Sequence, residues 1–346
     1  MQTQRAATPR ALERRLHSRL AKWFGGNFPD FTHAQLLAVP AILDRKSILL
    51  TSPTGSGKTL AGFLAIFDAL LRKLDAGSLT STVQCIYVSP LRALAYDIGK
   101  NIRAPIIGMG LEKNVRIHLR TGDTPSSERV KFRERAAHIL VTTPESLAVM
   151  LAQESYAAHF AECEFVVVDE LHSFAGNKRG ADLTLSLERL EILGSARDSR
   201  AVIGDSPITS GDANVPQMLE GRTGSRRVGA NDTRVACAPQ KGICRIGLSA
   251  TAAPLDLLAR FLVGEGRACR IAQAQTEKKS LVEVFSPIRR KPYPPAGYTG
   301  VRLYAELAEL IRRRQSVLVF TNVRSAAEQV GLRLKELLPD LAPQIE

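Results

Sequence analysis

The chain is poor in cysteine, in aromatic residues and in acids relative to bases, and it has no long apolar run. Each shortage narrows what it can be. The five cysteines, Cys85, Cys163, Cys237, Cys244 and Cys269, include no C-x-x-C pair. An odd, scattered set argues against zinc and against a disulfide framework, so a reducing, cytoplasmic setting is expected. No apolar stretch is long enough to cross a bilayer, and the N-terminus lacks a signal-peptide core. Aromatics make up 5% of the residues, so no aromatic-rich surface for stacking bases is visible and weak sequence preference is expected. Acids are outnumbered, 34 against 47 Lys and Arg, which leaves a formal net charge of +13. That excess favours a polyanionic partner, nucleic acid ahead of a membrane surface, over a basic protein with no such partner.

The opening segment "MQTQRAATPRALERRLHSRLAKWF" is Arg-rich and acid-poor, as a transit peptide is. Leu12, Leu16, Leu20 and Trp23 nevertheless recur at helical spacing, which predicts one amphipathic helix packed on the first domain. Further on, "SILLTS", "VQCIYVSP", "VRIHL", "HILVTTP", "FVVVDE" and "CRIGLSAT" read as buried strands separated by helical stretches such as Thr59–Leu74 and Ser146–Gln153. Strands alternating with helices predict an α/β fold with a mostly parallel sheet. Residues 194–242, rich in Gly, Ser, Asp and Arg, read as a long surface insertion. Pro287, Pro292, Pro294 and Pro295 mark a stiff linker over about 283–299. Beyond it a helix, the strand "SVLVFTN" and a second helix read as the start of a second α/β domain over 300–346. The expected division is a helical lead-in over 1–27, a first domain over 28–282, the linker, and that second beginning.

Two motifs carry chemistry. "SPTGSGKT" follows a predicted strand and opens a predicted helix, with Ser52 where the phosphate-loop pattern has its first Gly. Gly55 and Gly57 permit backbone angles that turn N–H groups toward an anion, and the helix starting near Lys58 aims its positive end there. Lys58 would reach the β- and γ-phosphates, and Thr59 would hold Mg²⁺. A plain Gly-rich turn does not explain the Lys and Thr directly after Gly57. In "EFVVVDELHSF", Asp169 and Glu170 end a buried strand, where ligands of parallel sheets bind. Asp169 suits the metal shell and Glu170 the positioning and deprotonation of water. Solvated loop acids are the alternative reading.

In this order, "SPTGSGKT", "DELH" and "LSAT" resemble motifs I, II and III of superfamily 2 helicases. "FPDFTHAQ" is similar to the adenine-reading Q motif, with Phe28, Thr32 and Gln35 at its expected places and Phe31 and His33 departing from its DEAD-box form. "SPLRALAYD", "TGD" and "TTPESL" resemble the first-domain nucleic-acid motifs, and "VLVFTNVRSAAE" resembles motif IV. "GNKRG" and "LSLERL" after "DELH" make the chain similar to the large helicase-related DExH group, which includes ligase-associated helicases. The resemblance implies two RecA-like domains, ATP and Mg²⁺ as cofactors, and single-stranded DNA or RNA as the track. It implies ATP held by Phe28, Thr32, Gln35, Thr54, Gly55, Ser56, Gly57, Lys58 and Thr59, with Thr59 and Asp169 on the metal. Ser89, Pro90, Arg92, Thr121, Gly122, Thr143, Pro144 and Glu145 would meet nucleic acid. His172, Ser249, Ala250 and Thr251 would couple hydrolysis to motion. Motifs V and VI, implied downstream of motif IV, find no match up to Glu346; Arg312, Arg313 and Arg314 precede motif IV and do not fill the arginine-finger role. An ATP-dependent helicase is the leading expectation, and an ATP- and nucleic-acid-binding module without unwinding is the alternative. A P-loop kinase or GTPase fits the Q-like segment and "DELH" poorly.

Overall fold

The computed structural model describes residues 2–53, 55–202, 242–250, 254–274, 282–284 and 298–345. Thr54, Thr251, residues 203–241 of the expected insertion and most of the proline-rich linker lie outside the described residues. The chain forms two units, Met1–Glu277 and Lys278–Glu346.

The first unit is built on a parallel sheet. Its strands are β1 (Gln2–Thr3), β2 (Ile48–Thr51), β3 (Cys85–Val88), β4 (Ile117–Arg120), β5 (Ile139–Thr142), β6 (Phe165–Val168), β7 (Cys244–Ser249) and β8 (Arg270–Gln273). They lie in the order β1-β8-β2-β7-β6-β3-β5-β4. Every pair is parallel. β2, β3, β5, β6 and β7 are buried along their whole length, as central strands covered on both faces must be. The two strands not expected from sequence are the least apolar: β8 begins at Arg270 and ends at Gln273, and β1 has two residues.

The pleat sorts side chains by parity into two cores. Ile48, Leu50, Cys85, Tyr87, Phe165 and Val167 face one side, with α1 (Pro9–Arg15), α2 (Ser18–Asn27), α3 (His33–Leu43), α4 (Lys58–Asp75) and α5 (Arg92–Gly108). Leu49, Ile86, Val88, Val166 and Val168 face the other. There they meet α6 (Ser126–Glu134), α7 (Pro144–Leu151), α8 (Ala157–Phe160), α9 (Lys178–Val202) and α10 (Leu255–Val263).

Three expectations need correction. The N-terminal helix is two helices, broken at Leu16 and His17. The break follows from a distant partner: the His17 N–H donates to the buried Asp68 carboxylate at 2.6 Å, which Arg72 also holds at 2.7 Å. Leu12, Leu16, Leu20 and Phe24, not Trp23, are the buried set, and they belong to the sheet's own core rather than to a separate lead-in. The expected insertion begins later than residue 194, because α9 continues to Val202.

The second unit contains α11 (Tyr298–Arg312) and α12 (Arg324–Leu337), joined by a small cluster around Ala308, Leu334 and Leu338. The strand expected at "SVLVFTN" is not formed. A strand needs a neighbour to satisfy its backbone groups, and no ladder partner is present among the described residues. Leu318 and Phe320 are accordingly exposed.

Candidate active site

Strand register brings the motifs to one edge of the sheet. Thr51 pairs with Ser249, Val88 with both Thr142 and Val168, and Arg120 with Thr142. The segments after β2, β3, β4, β5, β6 and β7 therefore leave at one level, beyond the strands' carboxyl ends, where parallel sheets bind ligands.

The loop after β2 ends on Gly57, whose left-handed φ of 80° caps α4. A Cβ there would meet Gln35 Nε2 at 3.1 Å and Thr32 Oγ1 at 3.3 Å, so only glycine lets the loop lie against these two residues. Thr32 and Gln35 form a capping box at the start of α3: the Thr32 N–H donates to Gln35 Oε1 at 2.9 Å, and the Gln35 N–H to Thr32 Oγ1 at 3.3 Å. Phe28 keeps part of its ring exposed while the rest stacks on Phe24, 4.9 Å between centroids. Ser52, in place of the usual Gly, is buried and its hydroxyl pairs with that of Ser56. Gly55 is exposed and Thr59 half-buried.

Lys58 opens α4, and its ammonium donates to the carbonyls of Ser52 at 2.8 Å and Ser249 at 3.1 Å. It thus ties the end of β2 to the end of β7. Burial lowers its pKa, with Glu170 and Asp169 partly offsetting the effect. Asp169 continues the parity of Phe165 and Val167, which turns it toward the α4 side. One of its oxygens accepts the Glu170 N–H at 3.0 Å and the other accepts the Tyr87 hydroxyl. Burial raises the pKa of Asp169, and the Tyr87 hydrogen bond opposes that rise. Glu170 sits at φ 46°, ψ 47°, a left-handed conformation that costs a non-glycine residue about 1–3 kcal/mol and tends to occur at functional sites. His172 reaches across to β7: its Nδ1 lies 3.0 Å from Ser249 Oγ and 3.4 Å from a Glu170 carboxylate oxygen. The structure therefore gathers Lys58, Asp169, Glu170, His172 and Ser249 at one place.

The residues expected to face nucleic acid divide. Ser89, Pro90, Thr121, Thr143 and Pro144 are buried, whereas Gly122 and Glu145 are exposed. The Ser89 hydroxyl donates to the Leu91 carbonyl at 3.1 Å and that of Thr143 to Ser146 at 3.2 Å, so both are used inside the loops. Arg92 opens α5, and Ala250 follows β7 half-buried.

Two arginines that sequence reasoning passed over shape this face. Arg129 donates to the carbonyls of Thr124 at 2.7 Å and Gly122 at 2.8 Å, which closes the loop after β4. Arg179 donates to the Pro90 carbonyl at 2.8 Å and to Glu145 at 2.5 Å, joining the loops after β3 and β5. The Arg179–Glu145 pair is largely exposed and contributes less than about 1 kcal/mol to stability, so its effect is on geometry. Its context, "GNKRG", was the available signal. Asn177 caps the start of α9, and a Cβ on Gly180 would strike the Phe174 carbonyl oxygen at 2.1 Å.

A family model described as DEAD/DEAH box helicase matches residues 32–206, just over half of the chain. The chain belongs to the DEAD/DEAH box helicase family. It is 36% identical over 336 residues to the ATP-dependent helicase Lhr-Core of Methanothermobacter thermautotrophicus, covering 94% of this chain and 34% of that protein. The solved helicase Lhr of Mycobacterium smegmatis, bound to ssDNA and AMP-PNP, superposes with a TM-score of 0.72 at 29% identity, covering 96% of this chain and 37% of that one. Mss116p bound to ssRNA and AMP-PNP shares the fold at a TM-score of 0.58 and 19% identity, over 79% of this chain and 46% of that one. The sheet and its flanking helices are thus the RecA-like fold of these helicases. The chain spans about a third of the length of the curated relatives it matches. No helix among the described residues is long and apolar enough to cross a membrane.

Proposed function

We propose that the first unit binds ATP with Mg²⁺ beyond the ends of β2, β6 and β7, and single-stranded DNA or RNA beyond the ends of β3, β4 and β5. Hydrolysis of that ATP would drive a helicase or translocase. The observation that carries this reading is Lys58, tied by its ammonium to strand ends β2 and β7, with Asp169 and Glu170 near enough to bias its charge.

Lys58 exchanges its two carbonyl partners for phosphate oxygens, and the backbone N–H groups at the start of α4 add to the anion site. The Gln35 amide has the donor and acceptor pattern that pairs with the N6/N7 edge of adenine, since its Oε1 keeps a lone pair beyond the capping bond. Thr32 fixes that amide, and Phe28 offers ring surface. Thr59 and Asp169 supply hard oxygen donors. One carboxylate and one hydroxyl suit Mg²⁺, a cation usually held by one or two carboxylates together with nucleotide phosphates. When bound, Mg²⁺ would neutralise charge developing on the phosphates. Glu170 orients the attacking water and takes its proton. His172 and Ser249 link that acid to β7 and so to any movement of the segment after it, through Ala250 and Thr251.

For nucleic acid, burial of the loop hydroxyls leaves exposed backbone at Gly122 and the cationic groups of Arg129 and Arg179 as the groups suited to phosphates. Arg92 is assigned to this face on its motif alone. Such contacts grip the sugar–phosphate backbone and carry little sequence information. Binding of a single-stranded oligonucleotide is expected to weaken about tenfold or more between about 50 and 200 mM salt, as for at least three neutralised phosphates. A flat response removes the backbone-grip reading.

A further inference from the structure

Tyr87 belongs to no motif, yet its hydroxyl is hydrogen-bonded to Asp169, one of the two residues assigned to the metal. It lies on the interior strand β3, fully buried. Its ring stacks on Phe63, with centroids 5.6 Å apart and planes 25° apart. Phe63 is one helical turn beyond Thr59 on α4, so the same helix face presents both to Tyr87. From the other side, Asp169 follows Val167, the register partner of Tyr87, at the next position of like parity. The phenol donates to the Asp169 Oδ2 oxygen.

A buried tyrosine needs a partner for its hydroxyl, and a backbone carbonyl would serve. Here the partner is instead the strand-end carboxylate of the neighbouring strand. Mg²⁺ tolerates little departure from octahedral geometry, so the placement of that donor matters more to it than to a looser cation. We propose that Tyr87 is a positioning residue for the metal: its hydroxyl holds the Asp169 carboxylate in the orientation from which it would bind a divalent cation. The inference rests on the Mg²⁺ reading above and adds to it the group that sets the donor geometry. Tyr87 touches neither nucleotide nor water in this role.

The test is the Mg²⁺ dependence of binding of a fluorescent ADP, titrated upward from EDTA, in the wild-type protein and in Tyr87→Phe. Phenylalanine keeps the ring and its packing on Phe63. The variant is expected to bind ADP in EDTA as the wild type does and to need about tenfold more Mg²⁺ for the half-maximal gain in affinity. In an Asp169→Asn background the same substitution is expected to change the Mg²⁺ requirement less than twofold, because the donor it positions is already impaired. An unchanged Mg²⁺ requirement in Tyr87→Phe overturns the inference. So does an equal loss of ADP affinity with and without Mg²⁺, which would make Tyr87 a core residue only. Additive effects of the two substitutions also overturn it. A wild-type affinity indifferent to Mg²⁺ sinks the metal reading itself, a result the wild-type curve reports on its own.

Discussion

Glu170→Gln retains Mg·ATP and loses turnover by about 100- to 10,000-fold, the range expected when a positioned general base is removed. The substitution is nearly isosteric and keeps the left-handed backbone that Glu170 already adopts. It leaves the two carbonyl partners of the Lys58 ammonium in place, and bound phosphate supplies the negative charge that Glu170 no longer offers Lys58. What it removes is the acceptor for a water proton beside His172. Equilibrium binding of ATP together with single-turnover hydrolysis separates the two effects. Loss of binding in this variant would mean that Glu170 shapes the pocket and does no chemistry.

Lys58→Ala has the opposite signature. Nucleotide affinity is expected to fall by about 100-fold, as when a buried charge-assisted contact to phosphate is lost. Burial already lowers the Lys58 pKa, so the ammonium pays a desolvation cost that incoming phosphate offsets. The variant also leaves the Ser52 and Ser249 carbonyls without their donor, so a thermal melt accompanies the binding measurement. An unchanged Kd for ATP contradicts the cradle assignment, whatever the melt shows.

The residues that were legible in sequence are those whose role depends on immediate neighbours. Gly57, Lys58 and Thr59 announce a strand-to-helix turn, and Asp169 and Glu170 follow the four apolar residues of a buried strand. Parity then places Asp169 on the α4 side. What sequence misplaced depends on distant partners. The break at His17 is set by Asp68, and the Tyr87 hydroxyl is bonded to Asp169, 82 residues away. Ser89, Thr121 and Thr143 carry the residue types of phosphate contacts, but the register that aligns the strand ends also buries them. "SVLVFTN" has the composition of a strand and forms none, because pairing depends on a neighbour that composition does not specify. The sheet edge was readable; which groups on that edge reach solvent was not.

In the function proposed above, one end of the sheet serves both nucleotide and nucleic acid, with Arg179 and the His172–Ser249 contact as physical links between neighbouring strand ends. That claim is tested most directly by the rate of ATP hydrolysis by this chain with and without a single-stranded oligonucleotide at low salt. The expected result is a clear rise in rate that saturates with oligonucleotide concentration and disappears in Glu170→Gln. Hydrolysis that proceeds at the same rate whether or not the strand is bound would contradict the claim.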